Sequence, residues 1–408
     1  MLTYIDGGVC AARGFRSAGI HVGVKTHNVN KKDLALIVSD VDCAAAAVFT
    51  TNVVKAAPIH VTKAHLADGK ARAVIANSGN ANACAPKGEE NAERMCAAAA
   101  KAVGCKAEDV LVCSTGVIGQ TIRIGVIEEG VPKLVPLLEA SAAGSDAAAH
   151  AIMTTDTVKK EVAVETTVGG KTVRMGGIAK GSGMIHPNMG TMLCFLTTDC
   201  AISPAMIREA LLETAQVSFN RISVDGDTST NDTCLVLANG LAGNPEITEK
   251  NGDYAAFVEA LKALCVALAR MMAKDGEGAK HLITCTVEGA RDEAQAETIA
   301  KSVISSTLTK AAIFGCDANW GRVLCAMGYS GERFDPEKVD VAFASAAGSI
   351  AVCEKGRGLP FDEDLAKKIL TEDEVTIAIA MGEGGGSCTC WGCDITYDYI
   401  RINGDYRT

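Results

Sequence analysis

Residues 179–199 read AKGSGMIHPNMGTMLCFLTTD and are the most informative stretch of the chain. Glycine, proline and asparagine crowd its first half, which predicts a tight loop. The apolar run MLCFL (192–196) predicts a short buried strand directly after that loop. Thr191 therefore stands where a turn enters a strand, a position from which a side chain can face a cleft.

Thr191 directly follows Gly190, so its hydroxyl can attack the carbonyl carbon that precedes it. That attack would split the chain and leave Thr191 with a free α-amine beside its own hydroxyl. An α-amine titrates near ~8 and can serve as the base for that hydroxyl. The β-methyl group of threonine also restricts χ1 and holds the oxygen in few orientations. An ordinary threonine at the start of a strand is the alternative on this evidence alone.

Further segments occur in order from near the N-terminus to the last residue: AAVFTTN (46–52), NSGNANAC (77–84), STGVIG (114–119), MTTD (153–156), SFNRISVDGDTSTND (218–232), FGCDANWGR (314–322) and NGDYRT (403–408). Together with KGSGMIHPNMGTML they resemble the ornithine acetyltransferase family, also called the arginine biosynthesis bifunctional protein family. The family usually has alanine where this chain has Gly190. Glycine is the less hindered residue there, so the difference should not prevent attack.

The resemblance implies a self-cleaving acetyltransferase whose fragments would be residues 1–190 and 191–408. Thr191 would take acetyl from N-acetylornithine as an ester and pass it to glutamate, with no metal or other cofactor. The resemblance also implies stacked sheets sandwiched between helices and a dimer of fragment pairs, which is a heterotetramer. Whether acetyl-CoA is a further donor stays open.

Acyl transfer also needs donors aimed at the developing oxyanion. The resemblance gives this role to Thr115 and Gly116 of STGVIG, where the residues alone predict only a loop whose glycines need positive φ. Lys180, flanked by glycines, is expected to bind substrate or bias protons near Thr191.

Glu277 follows a helix C-terminus, where a carboxylate is disfavoured by the helix dipole. That placement suits binding of a cation such as the ornithine amino group, although an ordinary turn residue is the alternative. By resemblance, Thr154 of MTTD and Asn403 and Thr408 of the last segment bind substrate. The choice between Thr154 and Thr155 has little physical ground.

The bulk properties indicate a large globular protein. Of its 408 residues 48% are hydrophobic but only 4% aromatic, which predicts a core of small aliphatic side chains. A net charge of −10 with no basic run argues against nucleic acid as a partner. No apolar run reaches the ~18 residues of a membrane span, and no secretory signal is recognisable, so a cytoplasmic protein is expected.

The chain has 17 cysteines, most of them single among apolar neighbours, as at Cys43, Cys96, Cys194, Cys265 and Cys325. In a reducing compartment they are expected to be small buried hydrophobic residues. The one cluster is CTCWGC (388–393). It supplies three thiolates without a fourth nearby ligand, and its alternation also fits a strand with one buried face.

Strand and helix patterns alternate along the chain and predict an α/β or α+β fold. Helices are predicted at about 89–103, 128–141, 143–151, 203–217, 254–274, 292–309 and 363–371. Strands are predicted at about 34–39, 46–50, 73–76, 109–113, 161–168, 171–177, 192–196, 233–237, 281–287, 322–327, 339–345 and 375–380.

Three other signals are set aside. GEGGG (382–386) lacks the residues of a phosphate-binding loop, and DGDTSTND (225–232) lacks the spacing of a calcium loop. His186 has no paired acid in the sequence. Two rival functions remain open: an N-terminal-nucleophile hydrolase in which water accepts the acyl group, and a cysteine-based metal or redox protein using CTCWGC.

Overall fold

A computed structural model describes residues 2–26, 28–186 and 192–404. Within these ranges the strands are β1 (Thr3–Ile5), β2 (Phe15–Ile20), β3 (Leu34–Phe49), β4 (Lys70–Asn80), β5 (Val110–Val117), β6 (Lys160–Val168), β7 (Lys171–Lys180), β8 (Leu193–Thr198), β9 (Ile222–Ser223), β10 (Thr233–Ala238), β11 (Leu282–Ala290), β12 (Asp340–Ser345), β13 (Gly348–Glu354), β14 (Arg357–Gly358), β15 (Glu374–Ala380) and β16 (Gly386–Cys393).

The α-helices in the same ranges are α1 (Ala57–His65), α2 (Gly88–Val103), α3 (Ile124–Leu134), α4 (Ala142–Ile152), α5 (Pro204–Gln216), α6 (Gly252–Lys274), α7 (Glu293–Ser305), α8 (Thr307–Phe314), α9 (Trp320–Gly328), α10 (Glu363–Leu370) and α11 (Tyr397–Gly404). Helix α5 begins as its sequence predicts. The Ser203 hydroxyl accepts a hydrogen bond from the Met206 amide, and Pro204 occupies the first turn.

The larger sheet has the strand order β1-β6-β7-β8-β10-β3-β4-β5, with β2 also paired to β3. Strand β3 is long enough to pair with different neighbouring strands along its two halves. Its first half pairs with β2 and β4, and residues 44–49 pair with β10. Strands β8 and β10 run parallel to each other and lie between β7 and β3. Two strands that follow residue 191 are thus inserted between strands that precede it.

The smaller sheet has the order β14-β13-β12-β15-β11-β16-β9. Helix α6 lies between the two sheets, packing on β6 and β7 of the larger one and on β11 and β16 of the smaller one. Helix α4 packs on one face of the larger sheet, whereas α2 and α3 pack on the opposite face of β3, β4 and β5. Helices α7, α9 and α10 pack on the smaller sheet. The predicted class, stacked sheets with helices around them, is confirmed. This layering buries both faces of the central strands, which is why runs such as MLCFL are apolar throughout.

Most elements lie where the sequence predicts them, including the hairpin of β6 and β7 and the long helix α6. The strand predicted at 322–327 is wrong, because these residues belong to α9. The Asn319 side chain caps that helix by accepting from the Arg322 amide. A short apolar run does not by itself separate a buried strand from a buried helix, and the cap was the available signal.

The helix predicted at 292–309 is two helices, because Ser306 ends α7 and caps α8 with its hydroxyl. The helix predicted at 128–141 begins earlier, at Ile124, and ends at Leu134. The strands predicted at 34–39 and 46–50 are one strand with a register shift between Val38 and Cys43.

Of the five cysteines named above, four are buried, and Cys325 is exposed, which corrects its predicted burial. Residues 388–393 belong to β16, as the alternation indicated. Cys388 and Cys390 face the core of the smaller sheet, whereas Cys393 packs on the α6 side. The three thiols therefore do not converge, and no group of three or more potential metal ligands occurs in the described ranges. No helix of the described residues has the length and apolarity needed to cross a bilayer.

Candidate active site

A cavity of about 270 Å³ opens beside the ends of β5, β7 and β8. Its lining includes six of the residues selected from the sequence, namely Thr115, Gly116, Thr154, Lys180, Glu277 and Asn403. They come from five separate segments, so the fold brings together residues up to 288 positions apart in the chain, as Asn403 is from Thr115. Gly190, Thr191 and Thr408 lie outside the described residues.

The two residues that follow Thr191 in sequence, Met192 and Leu193, also line this cavity. Leu193 pairs with Lys180 across the β7–β8 register, so the chain folds back between these two residues. The carbonyl of Met192 accepts a hydrogen bond of 2.8 Å from the Thr233 amide. The backbone that leads out of position 191 is thus held by the sheet at the wall of the cavity.

Thr115 and Gly116 lie inside β5 rather than in a loop, because the strand continues to Val117. Gly116 has φ +130°, and a Cβ there would lie 2.4 Å from the carbonyl carbon of Gly79 on the neighbouring strand. Glycine is therefore required by backbone geometry alone. The Thr115 hydroxyl also faces the cavity, and the Lys180 ammonium donates to it over 3.3 Å.

Buried amides hold this end of β5 in place. Asn231 donates to the carbonyls of Ala81 and Ser114 over 2.7 and 2.8 Å, and the Ser114 hydroxyl donates to Asn77 over 2.6 Å. Asn231 belongs to the segment DGDTSTND (225–232) but was not singled out from the sequence. Residues 229–232 of this segment form one wall of the cavity.

Lys180 is buried, and burial lowers its pKa, while the nearby carboxylate of Asp156 opposes that shift. Asp156 is itself buried and forms an ion pair of 2.6 Å with Lys160. Burial alone would raise the pKa of Asp156, but the charges of Lys160 and Lys180 outweigh it and leave that pKa below its ordinary value. Asp156 stays ionised at neutral pH and provides Lys180 with a permanent negative neighbour. Asp156 is the last residue of the segment MTTD, but it was not among the site residues predicted from the sequence.

Asp232 is a second carboxylate in the cavity wall. Burial raises its pKa well above the ordinary value, against hydrogen bonds from Ser229 and Thr50 that lower it. Its Oδ2 has no hydrogen-bond partner among the described residues. Burial thus disfavours the charged form of Asp232. No motif or spacing in the sequence indicates this role for Asp232.

Glu277 is buried in the turn after α6 and faces the cavity. Its carboxylate lies against Gly183, where a Cβ would approach Oε2 to 2.4 Å. Asn403 of α11 donates a hydrogen bond to the same Oε2, and the Glu277 amide donates to the Ser182 carbonyl over 2.8 Å. The turn and the C-terminal helix thus fix one carboxylate at the edge of the cavity, which suits an ammonium ligand.

Asp225 holds the loop that precedes residue 187. Its two carboxylate oxygens accept hydrogen bonds from the amides of Met184 and Ile185 over 2.6 and 2.8 Å. His186 lies in this loop, and its Nδ1 is 3.0 Å from the Ser223 hydroxyl. Burial lowers the pKa of His186. Its described partner is a hydroxyl rather than a carboxylate, which agrees with setting it aside as a base.

The model of the ArgJ family matches residues 16–408 of this chain. The chain belongs to the ArgJ family. It is 49% identical over 408 residues to the arginine biosynthesis bifunctional protein ArgJ of Symbiobacterium thermophilum, with all of both chains covered. It is 48% identical over 412 residues to the chloroplastic ArgJ protein of Physcomitrium patens, covering 99% of this chain and 78% of that protein.

Among solved structures, the ArgJ protein of Bacillus halodurans is 44% identical and covers 52% of this chain and 97% of that chain, with a TM-score of 0.49. Membership of the ArgJ family confirms the resemblance drawn from the sequence motifs. It also confirms the assignment to enzymes that transfer acetyl groups in arginine biosynthesis.

Proposed function

We propose that this ArgJ family member cuts itself between Gly190 and Thr191 and then uses Thr191 to move acetyl from N-acetylornithine to glutamate. The observation that carries the proposal is a single cavity. It is lined by the two residues after Thr191, by the Thr115 hydroxyl and by two opposite charges, Lys180 and Glu277.

Self-cleavage proceeds by attack of the Thr191 hydroxyl oxygen on the Gly190 carbonyl carbon. The C–N bond breaks, the amine takes the proton, and an ester joins the two residues until water hydrolyses it. The products are residues 1–190, ending in a carboxylate, and residues 191–408, beginning with a free amine. That amine then acts as the base for the Thr191 hydroxyl.

Acetyl transfer repeats the same attack on the acetyl group of N-acetylornithine, releasing ornithine and leaving acetyl-Thr191. The amine of glutamate then attacks the ester and leaves as N-acetylglutamate. The Thr115 hydroxyl and the Gly116 amide stabilise the oxyanion in each half-reaction. Loss of one such donor costs on the order of 3 kcal/mol of transition-state stabilisation.

Substrate binding is assigned to the charged and polar groups of the cavity wall. Glu277 binds the side-chain ammonium of ornithine, and Lys180 binds the α-carboxylate or biases proton positions near Thr191. Thr154, Asn403 and Thr408 complete the substrate contacts. The buried position of both charges makes each contact stronger than it would be in water, since the local dielectric is low.

The two fragments remain associated, because β8 and β10 of one are inserted between β7 and β3 of the other. We further propose that two such pairs form a heterotetramer in the cytoplasm and that no metal or cofactor takes part. The curated relatives carry the name bifunctional, and on that ground acetyl-CoA is proposed as a second acetyl donor to glutamate.

Intact-mass analysis of the wild type and Thr191→Ala tests the cleavage. Two fragments are expected for the wild type and one full-length chain for the variant. A single unbroken and active wild-type chain would contradict the proposal.

Incubation with N-acetylornithine, with and without glutamate, tests the transfer. Release of ornithine is expected to depend on glutamate beyond the first turnover. Sustained release without glutamate would favour the hydrolase. The same assay with acetyl-CoA and glutamate tests the second donor.

A further inference from the structure

The strongest feature outside the proposed catalytic groups is a buried ionic cluster of Asp156, Lys160 and Asp275. The Lys160 side chain is fully buried, and its ammonium lies 2.6 Å from Asp156 Oδ1 and 2.5 Å from Asp275 Oδ2. Burying three ionised groups is costly unless every one is paired. Hydrophobic residues of similar volume could fill this space without that cost, so the cluster is expected to have a role besides stability.

The Asp156 carboxylate holds two parts of the cavity wall at once. Its Oδ1 accepts a hydrogen bond of 2.7 Å from the amide of Gly181, the residue that follows Lys180. Its Oδ2 accepts one of 3.0 Å from the amide of Thr154. Because both contacts are to backbone, Asp156 sets where the chain places the side chains of Lys180 and Thr154.

Asp275 makes the corresponding contacts on the other side of the cluster. It accepts hydrogen bonds from the amide and the hydroxyl of Thr157, and it lies two residues before Glu277. Lys160 therefore connects the segments that carry Thr154 and Glu277. The two acids differ in one respect: the charge of Asp156 is the largest that raises the pKa of Lys180, whereas Asp275 is not one of the main contributors to that pKa.

The charges facing Lys180 come from every side of the cavity. Asp156, Glu277 and Asp232 favour its ammonium form, whereas Lys160 and, from the β2–β3 loop, Lys25 oppose it. Asp232 contributes least of the three acids, and burial raises its own pKa, which disfavours its charged form. Asp156 is the largest favourable contribution, so the charge of Lys180 depends most on this carboxylate.

We propose that Asp156 is the positioning residue of the active site, holding Lys180 and Thr154 in place and keeping Lys180 as an ammonium ion during acetyl transfer. The inference rests on the proposed function for its activity measurement. It adds a residue that does not touch the reacting atoms and acts through Lys180.

The test is the pH profile of kcat/KM for N-acetylornithine in variants first shown by mass to be cleaved. Asp156→Asn removes the charge, so the alkaline limb due to Lys180 should move to lower pH by about one unit or more. Asp156→Glu keeps the charge but displaces the carboxylate, so kcat should fall while the limb stays in place. Asp275→Asn is the matched control. It breaks the same ion pair with Lys160 and should lower stability without moving the limb.

Lys180→Arg assigns the limb, since arginine does not titrate in this range and the limb should disappear. When Asp156→Asn is combined with Lys180→Arg, it should not change the pH profile of kcat/KM. An unmoved limb in Asp156→Asn would overturn the inference. If Asp156→Asn fails to fold, Asp156→Glu provides the test. Unchanged kcat and KM in Asp156→Glu would overturn the inference, and so would a shift of the alkaline limb of its pH profile.

An NMR titration of the Lys180 ammonium in ligand-free protein gives the same answer without turnover. A lower midpoint in Asp156→Asn than in the wild type supports the inference, and an equal midpoint overturns it. Absence of acetyl transfer by the wild type would refute the proposed function, and this titration would still decide the role of Asp156.

Discussion

Asn403 Nδ2 lies 2.6 Å from Glu277 Oε2, so the C-terminal helix donates a hydrogen bond to the carboxylate at the edge of the cavity. Hydrogen bonds to charged groups contribute about 1.5–3 kcal/mol. Asn403→Ala should therefore raise KM for N-acetylornithine by roughly tenfold or more, which steady-state kinetics would measure. Arg401→Ala, in the same helix but exposed and paired with Asp398, is the control and should change KM little.

Gly183→Ala should displace the Glu277 carboxylate, because the new Cβ would lie 2.4 Å from Oε2. A misplacement of about 1 Å can cost on the order of 100-fold in rate, and a loss of that size in kcat/KM is expected. Gly125→Ala is the matched control, since no atom lies within 4 Å of its new Cβ. Equal activity of the two variants would show that the position of Glu277 is unimportant.

Gly116→Ala should destabilise the protein by about 3 kcal/mol or more, because φ is +130° and the new Cβ meets the backbone of Gly79. Gly119→Ala has φ +83° with open space around the Cβ, so about 1 kcal/mol is expected. Urea unfolding of both variants measures the difference. Similar midpoints would contradict the tight approach of β4 and β5.

Lys25 gives a prediction on pH and stability. Burial lowers its pKa to about 8 from an ordinary 10.5, against the opposing charge of Asp33. Between these values the unfolded chain binds the proton that the folded one has lost, so the Lys25 contribution to stability rises with pH. The unfolding free energy of the wild type minus that of Lys25→Met should increase by about 3 kcal/mol from pH 7 to above pH 10.5. A difference that does not vary with pH would contradict this.

Much of the fold follows from local patterns. Strands flanked by glycine loops and helices with hydroxyl caps, such as α5, were predicted close to their observed bounds. The errors share one cause: short apolar or mixed segments whose structure depends on partners far away in the chain. Residues 322–327 pack as a helix beside α7, and their apolar pattern by itself does not distinguish that helix from a strand, although the capping residue Asn319 precedes it.

Only part of the site could be predicted, again because some of its residues depend on partners far away in the chain. Residues such as Lys180 and Glu277 stand out because glycines or a helix end surround them, and the family motifs supplied the rest. Asp156, Asp232 and Asn231 act through burial and through contacts to distant backbone, which no spacing rule contains. The role of the Asp156 carboxylate depends on the fold, which brings Lys160 into ion pairs with both Asp156 and Asp275.

The insertion of β8 and β10 between β7 and β3 constrains how the molecule can be made. During synthesis the second half of β3 cannot pair with β10 until β10 leaves the ribosome, almost two hundred residues later. Such distant pairing is slow and leaves an open strand edge prone to aggregation. A gene split at the proposed cut would yield two polypeptides that each lack part of a sheet. If the chain is cut there, enzyme unfolded in denaturant should regain its structure poorly, because the covalent link that guided assembly would be gone.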